Sequence, residues 1–219
     1  MRLLTVHGIG ASPGNQLHPL LMRLLLASGM RVGVAMGGKK EYIKSDRIVI
    51  PANVDRSKVR WKKRHLDHMA YVIPITPEVA EILRQIERVA PDYGDAETWL
   101  FPSSTSDTGH MECEQNAVLR LRDHSGIRFT AHQFRHNVAS TAEDLGYSKP
   151  EIQELLGHAR GTVTDRYIDE RVARYQKMLI AVNAAMREMT ATEEPSSSKR
   201  LSKNPGTSGD NGSRSPAMI

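Results

Sequence analysis

Apolar positions recur at helical spacing in several stretches of the chain. Residues 17–28 (LHPLLMRLLLAS) form a short, strongly apolar run that ends at Gly29, a typical helix stop. A further helix is predicted to begin at Thr76-Pro77-Glu78, where an N-cap residue precedes an early proline and an early acid. Its apolar positions form one stripe that indicates core packing: Val79, Ile82, Ile86 and Val89.

Two β-branched runs, residues 47–53 and 69–76, predict strands. They flank a very basic connector, residues 56–65 (RSKVRWKKRH). Two interpretations of this connector stay open: a solvated hairpin tip, as most charged runs are, or a basic hairpin that enters a groove of DNA.

The stretch from Thr130 to Asp169 predicts two more helices. Gly146 reads as the end of the first, and the segment Ser148 to Glu151 reads as a capping box for a short apolar helix that ends at Gly157. Residues 112–123 predict an additional helix before it, and residues 170–189 are helix-prone after it. The apolar face of that last helix could pack on its own domain or on a neighbouring protomer.

These elements predict an α+β fold that is mostly α-helical, with a small antiparallel β-sheet on one side. Three segments are expected: an irregular lead over residues 1–16, one folded domain over 17–189, and a disordered basic, serine-rich tail over 190–219.

Composition narrows the possible functions. The 219 residues fit one domain, and a net charge of +5 with a pI near 9.4 suits a polyanionic partner. One cysteine excludes an internal disulfide and a cysteine-rich zinc site, and no spacing typical of metal ligands is present. No run approaches the roughly 20 apolar residues of a membrane span, and no signal peptide is recognisable. We therefore expect a cytoplasmic protein with no cofactor, no metal, no membrane association and no small-molecule substrate.

Four side chains suggest chemistry on a phosphodiester. His132 and Arg135 are three residues apart, which places them on one face of a helix, and Tyr167 follows His158 by nine residues. A cation could neutralise the phosphate, a phenol could attack it, and an imidazole could accept the proton. His136 points away from the Arg135 face and is left out. Taken alone, Tyr167 is better explained as a packing residue.

The ordered set of His132-x-x-Arg135, Leu155-Leu156-Gly157-His158 and Tyr167 resembles the catalytic core of tyrosine recombinases (phage integrases) over roughly residues 17 to 185. Arg31 adds to the resemblance, because in this family a small-Gly-apolar-Arg-x-Gly turn delivers the first catalytic arginine. Without that context, Arg31 would read as a charge at a helix C-terminus. One departure is Val34, which occupies a position where the family commonly has an acidic residue.

The resemblance implies a site-specific recombinase that cuts and rejoins DNA strands through a 3′-phosphotyrosyl link. Tyr167 would attack the phosphate, Arg31 and Arg135 would clamp its nonbridging oxygens, and His158 would bond to the same group. His132 is the candidate proton acceptor. The catalytic lysine of the family lies on a β-hairpin, so Lys62, or alternatively Lys63, would protonate the leaving 5′-oxygen.

The resemblance also implies partners. Double-stranded DNA would be contacted by the connector residues Lys58, Arg60, Lys62, Lys63 and Arg64, and a homo-oligomer, a tetramer, would assemble on it. Family members usually carry an N-terminal helical DNA-binding domain, which predicts that this chain is N-terminally truncated, binds DNA weakly and depends on a partner or on multimerisation.

Two other interpretations remain open from sequence. Residues 151–168 (EIQELLGHARGTVTDRYI) also read as a helix-turn-helix, which predicts a DNA-binding regulator with no nucleophile. The other is a decayed integrase that binds DNA without catalysis.

Overall fold

The computed structural model describes residues 15–51, 71–157 and 168–192. Within these ranges it contains helices and a two-stranded antiparallel sheet, which confirms the predicted fold class. The helices are α1 (Leu17–Ser28), α2 (Val32–Met36), α3 (Pro77–Val89), α4 (Gln115–Ser125), α5 (Ala131–Asp144), α6 (Lys149–Leu155) and α7 (Ile168–Thr192), and the strands are β1 (Arg47–Ile50) and β2 (Tyr71–Pro74). Short 3₁₀ turns lie at Lys40–Tyr42 and Ala90–Tyr93.

Helix α1 is the centre of the domain. It has the bounds predicted from sequence, and eight of its twelve residues are buried. It packs mainly against α3 and α5, and also contacts α2, α4 and α7. A helix that is apolar on nearly all sides is stable only when other elements surround it, which explains this central position.

The sheet lies beside α7. β1 and β2 pair antiparallel, with Arg47 opposite Pro74 and Ile50 opposite Tyr71. Alternate residues of β1 are buried, as expected of strands with one face toward the core. The connection between the strands falls in residues 52–70, which the structure does not describe.

Helix α3 forms as its sequence predicts. The Thr76 side chain accepts a hydrogen bond from the Val79 backbone N–H at 3.2 Å, and Pro77 occupies the first turn, where no backbone donor is needed. Val79, Ile82 and Ile86 are fully buried. The apolar stripe is therefore core.

Helices α5 and α6 each begin with a capping box. The Thr130 backbone N–H donates to the Gln133 side chain at 2.5 Å, and the Ser148 N–H donates to the Glu151 carboxylate at 3.0 Å. The predicted capping box at Ser148 is thus present. Gly146, at φ +85°, lies in the turn between the two helices.

Helix α7 packs one face against its own domain. Its contacts are with α5, β2 and α1. Asn183 Nδ2 donates to the Ala27 carbonyl oxygen at 3.1 Å, and Gln176 Nε2 donates to the Ile75 carbonyl oxygen at 3.1 Å. Of the two packing modes that the sequence left open, the structure contains the intramolecular one. Residues 193–219, most of the predicted tail, lie outside the described residues.

Candidate active site

The turn after α1 carries Arg31. Gly29 ends the helix at φ +66°, and its N–H donates to the Leu25 carbonyl oxygen at 2.9 Å. Arg31 follows in an extended conformation as the N-cap of α2. A Cβ at position 29 would lie 2.8 Å from Cδ2 of Leu156 and 3.2 Å from Cγ1 of Val138. The turn therefore needs glycine both for its backbone conformation and for its close approach to α5 and the end of α6.

Arg135 is buried beside this turn, with 3% of its surface exposed. Its Nη1 donates to the Gly29 carbonyl oxygen at 2.7 Å, and its Nη2 donates to the Leu156 carbonyl oxygen. Gly29 is 106 positions away in sequence, so this one guanidinium joins the end of α1 to the end of α6. Because both acceptors are buried, losing the guanidinium would leave them without their donor.

Arg31 and Arg135 are close enough for their charges to interact. Burial lowers the pKa of Arg31, and the positive charge of Arg135 lowers it further. Burial also lowers the pKa of Arg135. Guanidinium groups nevertheless stay protonated at neutral pH, and Arg31 makes no ion pair within the described ranges. The two side chains form a partly buried positive site, which suits an oxyanion such as a phosphate.

Tyr71 is a third member of this cluster. It is 3% exposed, and its ring lies against Gly157, where an added Cβ would be 2.8 Å from both Cδ2 and Cε2 of the ring. Burial raises the pKa of its hydroxyl, while Arg135 and Arg31 act in the opposite direction. The hydroxyl is near Arg135, but their geometry falls short of a hydrogen bond, and it has no other partner among the described residues.

Sequence reasoning missed Tyr71. The only available signal is its place in the predicted strand that comes after the basic connector. Strand periodicity assigns it to the core, and nothing local indicates that its hydroxyl lies beside two arginines.

His132, the second residue of α5, is exposed, whereas Arg135 on the same helix is buried. The His132 ring meets the His136 ring edge-on, with centroids 4.6 Å apart and 86° between the ring planes. Residues four apart share a helix face, which accounts for this contact. His136, left out on sequence grounds, is therefore a direct neighbour of the predicted proton acceptor.

The structure thus places three of the predicted catalytic residues, Arg31, Arg135 and His132, and brings the two arginines together. The remaining predicted catalytic and DNA-contacting residues lie outside the described residues: Lys58, Arg60, Lys62, Lys63, Arg64, His158 and Tyr167.

An ionic cluster joins α6 to α7. The Tyr175 hydroxyl donates to the Glu154 carboxylate at 2.5 Å, and Arg171 Nη2 lies 3.0 Å from the same carboxylate. Burial raises the pKa of Glu154, but the hydrogen bonds from Tyr175 and Arg171 outweigh it and leave that pKa below its ordinary value. On the sheet side, Arg47 Nη1 lies 2.8 Å from the carboxylate of Asp169. The end of α6 and the start of α7 are therefore both tied to described elements.

Two features are absent from the described ranges: a metal-binding cluster and a membrane-spanning helix. No group of three or more His, Cys, Asp or Glu side chains there is arranged to hold a metal ion. None of the helices in those ranges combines the length and the apolar character that crossing a bilayer requires.

Comparison with known proteins gives a family match and several relatives. The model described as "Phage integrase family" matches residues 8–174. The chain is 28% identical over 155 residues to transposase B from transposon Tn554 of Staphylococcus aureus, a match that covers 62% of this chain and 23% of that protein. It is 28% identical over 161 residues to tyrosine recombinase XerD of Rhizobium meliloti, covering 69% of this chain and 48% of that protein. The chain spans less than half the length of each of these relatives.

Solved structures share the fold. The Tn1549 transposon integrase in complex with circular intermediate DNA matches with a TM-score of 0.52 at 15% identity, covering 80% of this chain and 66% of that one. The same integrase in complex with transposon right end DNA matches with a TM-score of 0.52 at 14% identity, covering 86% and 66%. At such low identity the match shows common architecture only.

Proposed function

Because the chain belongs to the phage integrase family, we propose that it is a site-specific DNA recombinase that cuts and rejoins strands through a 3′-phosphotyrosyl intermediate. One observation carries the proposal: Arg31 and Arg135 lie together at the Gly29 turn although the chain separates them widely. Two guanidinium groups in a partly buried site suit the binding of an oxyanion such as a phosphodiester.

The paired arginines supply the positive charge that stabilises the transition state of phosphoryl transfer. Attack on a phosphodiester adds negative charge to the nonbridging oxygens, and preorganised donors stabilise that charge as it develops. Arg135 is already held by its bonds to Gly29 and Leu156, so it loses little conformational freedom when substrate binds. In this proposal Arg31 and Arg135 each contact a nonbridging oxygen.

Tyr167 is the proposed nucleophile. Its oxygen forms a bond to phosphorus while the bond from phosphorus to the 5′-oxygen breaks. A phenol with a pKa near 10 is mostly neutral at pH 7, so His132 takes the proton and His158 hydrogen-bonds the phosphate. Lys62, with Lys63 as the alternative, gives a proton to the leaving 5′-oxygen. The ester conserves the bond energy, so rejoining by a 5′-hydroxyl requires no cofactor.

Double-stranded DNA is the proposed substrate, contacted by the basic connector residues Lys58, Arg60, Lys62, Lys63 and Arg64. The net charge of +5 supports a polyanionic partner, and the Tn1549 integrase was solved with DNA. We propose in addition that the chain acts as a homotetramer on DNA, in the cytoplasm.

The test uses a pool of nicked duplexes with a randomised core, so that cleavage releases a short strand and traps the covalent intermediate. We expect a protein–DNA adduct that survives denaturant, is unaffected by EDTA and is absent in Tyr167→Phe. Tyr93→Phe is the matched control and should keep the adduct, because the Tyr93 hydroxyl bonds to Gln16 at the start of α1, whereas the arginines lie at the turn after its end. If the wild-type protein forms no adduct with any duplex in the pool, the proposed activity is wrong. If an adduct persists in Tyr167→Phe, the nucleophile is another residue.

A further inference from the structure

The Tyr71 hydroxyl is a buried polar group with no hydrogen-bond partner among the described residues. The large majority of buried polar side-chain atoms in proteins do have one, so each exception calls for a physical explanation. A phenylalanine would fill the same space without this cost. The hydroxyl therefore indicates a hydrogen-bonding ligand that binds to the folded protein.

The position of the ring leaves the hydroxyl beside the positive site. The Gly157 backbone abuts one edge of the ring, since a Cβ there would come within 2.8 Å of Cδ2 and Cε2. Tyr71 is also fixed by its pairing with Ile50 in the sheet. Both Arg135 and Arg31 act electrostatically on the hydroxyl, Arg135 more strongly. The phenol thus completes a cluster whose other two members are cations.

We propose that the Tyr71 hydroxyl donates a hydrogen bond to the same phosphate that Arg31 and Arg135 hold. This inference rests on the proposed function, because it takes the anion to be a DNA phosphate. Tyr71 then adds a neutral, rigidly held donor to two charged ones, and it selects the orientation of the phosphate.

A donor role fits Tyr71 better than a nucleophilic one. Burial raises the pKa of its hydroxyl despite the two neighbouring cations, so the group keeps its proton at neutral pH. A protonated phenol donates readily and attacks poorly. Tyr71 and Tyr167 therefore have separate tasks in this proposal.

Tyr71→Phe is the decisive variant, because it keeps the packing against Gly157 and removes only the hydroxyl. Tyr93→Phe is its counterpart: the Tyr93 hydroxyl accepts a hydrogen bond from the Gln16 backbone N–H at 2.9 Å, at the opposite end of α1 from the Gly29 turn. Two quantities are measured on each variant: the rate of adduct formation with the nicked duplexes, and the melting temperature with and without inorganic phosphate at constant ionic strength.

We expect Tyr71→Phe to melt at or slightly above the wild-type temperature without phosphate, because an unsatisfied polar group is removed. Its adduct should form about ten- to a hundredfold more slowly, as for the loss of a hydrogen bond to a charged group, and phosphate should stabilise it less than the wild type. Tyr93→Phe should show the reverse pattern, with a lower melting temperature and an unchanged adduct rate.

Three results would overturn the inference. One is a Tyr71→Phe protein with the wild-type adduct rate and the wild-type response to phosphate. Another is a clear loss of stability in Tyr71→Phe without phosphate, which would mean that the hydroxyl has a structural partner. The third is an adduct abolished by Tyr71→Phe and retained by Tyr167→Phe, which would make Tyr71 the nucleophile. A wild-type protein without any adduct would refute the proposed recombinase activity instead, and the phosphate response alone would then decide the role of Tyr71.

Discussion

Replacing Gly29 with alanine tests whether the Arg31 turn depends on its close approach to the rest of the domain. Two costs are expected at this position. The backbone is left-handed at φ +66°, and the new Cβ would lie 2.8 Å from Leu156 and 3.2 Å from Val138. Gly126→Ala is the matched control, since Gly126 also ends a helix, at φ +69°, but has no atom within 4 Å of its added Cβ.

The two costs can be separated in magnitude. A left-handed alanine costs about 1–2 kcal/mol, partly offset because alanine has less freedom than glycine in the unfolded chain, so Gly126→Ala should lose about 1 kcal/mol. At Gly29, overpacking adds about 1–3 kcal/mol, because Leu156 and Val138 are buried and have little room to move. We therefore expect Gly29→Ala to lose about 2–4 kcal/mol in the free energy of unfolding.

Urea denaturation of both variants measures these losses, and thermal melting checks them. For a domain of this size about 1 kcal/mol corresponds to roughly 2–4 °C, so Gly29→Ala should melt about 5–15 °C below the wild type. It should also form less covalent adduct than Gly126→Ala, because the displaced turn carries Arg31 and the carbonyl that holds Arg135. If the free energies of unfolding of Gly29→Ala and Gly126→Ala differ by less than about 0.5 kcal/mol, the close approach at Gly29 does not constrain stability.

Two further variants test the contacts around the site. Arg135→Lys should lower the free energy of unfolding by about 1–3 kcal/mol and abolish the adduct, because one ammonium cannot reproduce the fork that reaches both Gly29 and Leu156; wild-type stability in denaturant would contradict this. Glu154→Gln should be less stable than the wild type at pH 7, because the pKa of Glu154 in the folded protein is below its ordinary value of 4.5. The ionised carboxylate therefore stabilises the fold above about pH 4.5, and this contribution is lost as the pH falls through the folded pKa. The difference in urea midpoint between the wild type and Glu154→Gln should therefore be larger at pH 7 than at about pH 3.5. A difference that grows on acidification would refute the stabilising role of the Glu154 carboxylate.

Local signals predicted much of the secondary structure. The apolar run 17–28 and the stop at Gly29 have the bounds of α1, and the N-cap at Thr76 and the capping box at Ser148 form as expected. These features depend on residues within one or two helical turns of each other, so they can be read from spacing alone. The strand pair was also predicted, although its register, Ile50 opposite Tyr71, was not.

The candidate site was predicted only in part. Arg135 was singled out by its spacing from His132, whereas Arg31 was singled out only through a family resemblance, since by local pattern it is no more than a charge at the end of a helix. Tyr71 was not singled out, and the ring contact between His132 and His136 was not foreseen. The histidine contact follows from a spacing of four residues on one helix, whereas the contacts of Tyr71 are with residues far apart in sequence that only packing brings together.

By itself, the sequence determined where the main helices and the two strands form, the mostly helical fold class, and the family to which the chain belongs. Only the tertiary structure decided that Arg135 holds the Gly29 turn across 106 positions, that α7 packs on its own domain, and that a buried phenol lies near two arginines. The reason is physical. Helix periods and caps are set by neighbours along the chain, whereas the charge, burial and hydrogen bonding of a site arise from elements that packing brings together.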